Sequence, residues 1–104
     1  MRKANTDDLF NIARLIDDLG LKEDLFEVQK GKEDIEKIGF DFVFKIFSKA
    51  IKKEAQQKIY EVLSEPFEIK PQEVGKLGIM DLIKNTMECF DLSEVINFIK
   101  RANS

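Results

Sequence analysis

The stretch GFDFVFKIFSKAIKK, Gly39 to Lys53, decides the fold, because it sets Phe40, Phe42, Phe44 and Phe47 beside Val43, Ile46 and Ile51 in fifteen residues. Phe40, Phe42, Phe44 and Ile46 alternate as a half-buried strand would, while Phe40, Phe44, Phe47 and Ile51 recur at helical steps. The residues after this stretch break the tie. Ile51, Ala55, Ile59, Val62 and Leu63 keep the helical period for three more turns, and Lys45, Lys49, Lys52 and Lys53 fall together on the side opposite the apolar one. The spacing therefore predicts one long helix from Asp34 or Gly39 to Leu63, with Gly39 as the place for a bend. Its first half is apolar over a wide arc, the pattern of a helix contacted from more than one direction.

Working outward, the other segments read as helices as well. Leu9, Ile12, Ala13, Ile16 and Leu19 mark a helix over Thr6–Leu19, capped by Asn5 or Thr6, with Asp7 and Asp8 at the positive end of its dipole and Gly20 as its left-handed stop. A short helix is expected from Lys22 to Gln29, stopped by Gly31, with QKGKED (29–34) as an exposed loop. Glu65, Pro66 and Phe67 read as a break, and Pro71 as the first residue of a helical turn through Val74. A hairpin through Phe67 and Ile69 is the alternative there, without a partner strand of any length. Leu82, Ile83, Thr86, Met87 and Phe90 mark a helix from Ile79. Asp91 and Glu94 have the spacing of a capping box before a last helix that turns Leu92, Val95, Ile96 and Ile99 inward. The tail KRANS is polar and expected to fray. The fold class is all-α: a single small domain of five to six helices around a long central one.

Composition narrows the function. The 104 residues carry 43% hydrophobic and 36% charged side chains, a balance that buries one modest core. No apolar run reaches the roughly 20 residues of a membrane span, and MRKANTDDLF has no apolar core of a secretory signal, so a soluble cytoplasmic chain is expected. The net charge of -3 argues against nucleic acid as a partner. The charge is unevenly placed: residues 45–58 hold five basic side chains and one acidic, whereas the segments before and after are both net acidic.

Chemistry-bearing motifs are few. The chain has no histidine and one cysteine, Cys89, which beside Met87 and Phe90 at helical spacing reads as a packing residue. Neighbouring carboxylates such as Asp17 and Asp18 diverge on a helix surface, DLSE lacks a calcium loop's alternating ligands, and no phosphate-cradling glycine spacing occurs. No catalytic residue, cofactor or metal is expected. The lysines divide between a solvated helix face and an electrostatic docking surface for an acidic partner or a neighbouring protomer. The phenylalanines divide between core and contact patch. The candidate partner-binding residues are Phe40, Phe44, Phe47, Ile51, Lys45, Lys49, Lys52 and Lys53.

Three pieces in order, NTDDLFNIARLIDDLGLKEDL, FKIFSKAIKKEAQQKIYEVLSEPFEIKPQEVGKLGIMDLIKNTME and FDLSEVINFIKRA, resemble the small tail assembly chaperones of long-tailed phages and prophages of Gram-positive bacteria. The likeness is one of layout over nearly the whole chain and carries no catalytic or ligand signature. It implies a non-enzymatic, all-helical protein of the host cytoplasm that binds the tape measure protein and keeps it soluble during tail assembly, with the tail tube protein a further partner. It also implies homo-oligomers. The alternatives are a small helical regulator that binds nucleic acid through the basic stripe, against which the scarcity of arginine speaks, and a structural head-to-tail connector.

Overall fold

The computed structural model describes residues 1–28 and 35–103, the side chains of 26–28, 35–38 and 103 excepted. Among the described residues there are seven helices and no strand: α1 (Thr6–Asp18), α2 (Lys22–Val28), α3 (Ile35–Lys49), α4 (Lys53–Phe67), α5 (Pro71–Val74), α6 (Ile79–Cys89) and α7 (Leu92–Asn103). The all-α reading holds, and the radius of gyration, 12.8 Å, is that of one compact body of this length. The expected exposed loop at 29–34, with Gly31, lies outside the described residues.

The termini follow from local chemistry. Asn5 caps α1 through a reciprocal pair: its Oδ1 accepts the Asp8 N–H at 3.0 Å while the Asp8 carboxylate accepts the Asn5 N–H at 2.9 Å. Leu19 closes the helix and Gly20, at φ +70°, takes the left-handed turn that glycine occupies without strain. Pro71 opens α5, where its missing N–H costs nothing. Asp91 Oδ1 accepts the N–H of Ser93 at 2.9 Å and of Glu94 at 3.4 Å, fixing the start of α7.

The long central helix is not there. It is two helices, α3 and α4, separated by Ala50, Ile51 and Lys52. No Gly or Pro causes the break; the two buried stripes do. Among the described side chains, those buried on α3 are Phe42, Val43 and Ile46, beside the buried Gly39, and on α4 Ile59, Leu63, Ser64, Pro66 and Phe67. Along one continuous helix at about 100° per residue, the step from Ile46 to Ile59 turns roughly 220°, so the two stripes would face different ways. Interrupting the helix lets both reach cover. Accordingly α3 packs against α6 and α2, while α4 packs against α1, α5 and α6. Nor is Gly39 the hinge: α3 runs through it, and its buried Cα brings that turn close to Met87, whose Cε would stand 3.1 Å from an added Cβ.

Two other boundaries shift. Pro66 does not end α4 but lies within its last turn, where a proline forfeits one hydrogen bond and its ring is fully buried; the end comes at Glu68, in the left-handed conformation at φ 59°. Phe67 is thus helical rather than part of a hairpin. The KRAN residues expected to fray extend α7 to Asn103.

The core joins α1, α4 and α7 through Ile12, Ile16, Ile59, Leu63, Ile96 and Ile99, and residues 1–5 strap across one end of it. The Arg2 N–H donates to Pro66 O and the Ala4 N–H to Cys89 O, both at 2.9 Å, and Lys3 Nζ donates to Glu88 O at 2.9 Å. These satisfy the last carbonyls of α4 and α6, and Lys3 places a cation at the negative end of the α6 dipole. Asp8, 1% exposed, is paired with the Arg2 guanidinium. No buried side-chain nitrogen or oxygen among the described residues lacks a partner.

Candidate interaction surface

The candidate residues lie at the corner where α3 ends and α4 begins, and the fold treats them unequally. Phe40 and Phe47 are half-buried, with Phe47 packed on the core. Phe44 is 51% exposed, and Ile51, in the break, is 88% exposed, which a branched aliphatic side chain gains nothing from in an isolated chain. The four lysines are exposed like these two. At about 100° per residue, the side of α3 remote from its core stripe carries the exposed Asp41, Phe44, Lys45 and Ser48, while Lys49, exposed at the helix end, flanks the stripe; Ile51, Lys52 and Lys53 are exposed in and just after the break.

The lysines also differ among themselves. Lys45 Nζ is 2.7 Å from Asp24 Oδ1 and ties α3 to α2, so its charge serves the fold. Lys49, Lys52 and Lys53 are exposed and form no ion pair with any described residue. Lys52 is the N-cap of α4 and makes no capping hydrogen bond. A lysine there is the wrong sign for the helix dipole, so it adds positive potential at the start of α4.

A second surface was not anticipated from the sequence. Glu61 and Glu65 of α4, its C-cap Glu68 and Glu73 of α5 border a groove of about 770 Å³ whose apolar lining is Ile69 and Pro71. Arg2 and Lys70 also reach this groove, Arg2 already engaged by Asp8. The glutamate spacing was visible in the sequence, but its meaning depends on α5 folding back against α4.

A cleft of about 400 Å³ beside α1 is bordered by Arg2, Asp8, Phe10 and Arg14. Asp7 and Glu65 line it too; Arg2 holds Asp8, and Arg14 lies 5.6 Å over the Phe10 ring, itself edge-on to Phe98 at 5.0 Å. Among the described residues no three His, Cys, Asp or Glu side chains meet to hold a metal ion, and no helix is long and apolar enough to cross a membrane. Cys89 is buried, its Sγ 3.9 Å from Pro66 O, and burial pushes its thiol above the usual range, which suits a packing residue. Comparison with protein-family models, with curated proteins and with solved structures gave no match.

Proposed function

We propose that this chain is a non-enzymatic assembly chaperone that holds an apolar, aggregation-prone client segment at the α3–α4 corner, the client being the tape measure protein of a long-tailed phage, bound in the host cytoplasm during tail assembly. The observation that carries the reading is Ile51, 88% exposed in the interhelical break, with Lys49 before it and Lys52 and Lys53 after it, none ion-paired with a described residue. A large aliphatic group held in water by a well-packed fold favours a partner that removes it from water, and surrounding cations steer the approach of an acidic one. The resemblance in layout to tail assembly chaperones supplies the identity of the client.

Co-expression with a tape measure protein of a long-tailed phage tests the proposal. The client stays soluble with the unaltered chain and precipitates when Phe44→Ser and Ile51→Ser are combined in a variant whose circular dichroism is unchanged. Equal client solubility with and without the chain excludes the chaperone role.

A further inference from the structure

We propose that residues 51–58, the end of the interhelical break and the first turns of α4, open as a local unit while both buried stripes stay in place, so that the corner is a built-in hinge between α3 and α4. The inference stands apart from the chaperone reading, because it needs no client. Regions that open below the global unfolding free energy are those with few buried apolar groups and a backbone exposed to water. Residues 51–58 meet that description. All are exposed except Ala55, which is half-buried, and none belongs to the core or to the apolar groups packed against it. Core packing resumes only at Ile59, 2% exposed and the seventh residue of α4.

Other helix starts are held where this one is not. α1 has the reciprocal Asn5–Asp8 cap and buries its third residue, α7 has the Asp91 cap, and α6, whose N-cap Gly78 makes no side-chain bond, buries its fourth and fifth residues, Leu82 and Ile83. At α4, Lys52 makes no capping bond, and the Gln56 N–H donates to Lys52 O at 3.0 Å between two exposed residues. Side-chain support is confined to the surface: Gln56 Nε2 donates to Tyr60 Oη at 2.7 Å, Gln57 Nε2 to Glu61 Oε1 at 3.4 Å, and Lys58 Nζ is 3.5 Å from the exposed Asp18 carboxylate. Composition keeps these residues helical, since Lys, Glu, Ala and Gln are all good helix formers. A segment that forms helix readily but is anchored only at its far end opens and closes reversibly. Opened, the six residues from Lys53 to Lys58 lengthen from about 9 Å to about 20 Å. Ile51, Lys52 and Lys53 then change position while Ile46 and Ile59 stay buried.

Amide hydrogen exchange of the full chain, followed by NMR over low urea concentrations, tests this. Relative to their unprotected rates, the amides of Gln56, Gln57 and Lys58 exchange at least tenfold faster than those of Leu63 and Ser64. They do so nearly independently of urea, the mark of an opening that exposes little surface. Ile99→Val, a mild change in the core remote from the corner, speeds exchange at Leu63 and Ser64 about two- to tenfold and leaves the other three amides unchanged, because the core stays packed when the local unit opens. Lys52→Ser supplies the missing capping oxygen and slows exchange at Gln56, Gln57 and Lys58 about fivefold relative to Lys52→Gln, which removes the same charge without a comparable cap. Protection and urea dependence at these three amides equal to those of Leu63 overturn the proposal, as does their acceleration by Ile99→Val to the same degree, since they would then open only with the whole molecule. Equal exchange in the serine and glutamine variants overturns it too, because the opening would not begin at the start of α4.

Discussion

The end of the molecule strapped by residues 1–5 and the corner between α3 and α4 hold similar material, and the fold uses it in opposite ways. At the strap, Arg2 finds Asp8, Lys3 finds the carbonyl of Glu88, and Pro66, Phe67 and Cys89 are covered. At the corner, three lysines find no carboxylate among the described residues and Ile51 finds no cover. The strap's cations lie where helix C-termini converge, so the backbone itself supplies negative ends. At the corner Lys52 and Lys53 lie at the N-terminus of α4, where the backbone offers a positive end, and only Lys49, at the C-terminus of α3, meets a negative one. Charge of one sign thus stabilises one region and is left facing solvent in the other.

Substitutions sharpen that contrast, the largest effects falling on the strapped side and in the core it covers. Leu63→Ala removes a 2% exposed side chain at the centre of α4 and lowers unfolding free energy by about 2–5 kcal/mol, read from urea denaturation. Cys89, behind the strap, reacts with iodoacetamide in the native protein at least about tenfold more slowly than in urea, equivalent to about 1.4 kcal/mol of protection. Two causes act together: burial restricts access, and it also raises the thiol pKa, so that less thiolate exists at neutral pH. Native labelling as fast as in urea would show that the strap leaves the thiol open. Asn5→Ala removes the acceptor of the Asp8 N–H and lowers stability by about 1 kcal/mol.

These strapped elements were the legible ones. Asn5, Asp8 and Gly20 act within a few residues of the helix ends they fix, so spacing and residue type sufficed to place α1, and Pro71 and Asp91 did the same for α5 and α7. The α3–α4 boundary was illegible for a physical reason: the segment from Ala50 to Lys52 holds no breaking residue, and its apolar spacing continues the helical period. What divides it is competition for cover between two stripes pointing different ways, which appears only when the neighbouring helices are in place. The lysines were expected opposite Phe44 and Ile51 for the same reason, since that relation holds only along a helix that continues through the break. The acidic groove needed α5 folded onto α4, a long-range fact with only the glutamate spacing as a local trace.

The smallest expected effect is the most informative about the corner. Ile51→Ser exchanges a large aliphatic side chain for a small polar one, and in a core that would be among the most damaging changes available. Here the side chain is already in water, the residue belongs to neither helix, and nothing packs on it strongly enough to cover it. The urea midpoint should therefore stay within the equivalent of about 0.5 kcal/mol of the unaltered chain, on either side. A loss as large as that of Leu63→Ala would mean that Ile51 is held against the fold in solution, and the contrast between the two regions would collapse. A neutral result separates stability from use at this position. Any loss of association in the same variant is then a property of the surface and not a consequence of a weakened fold.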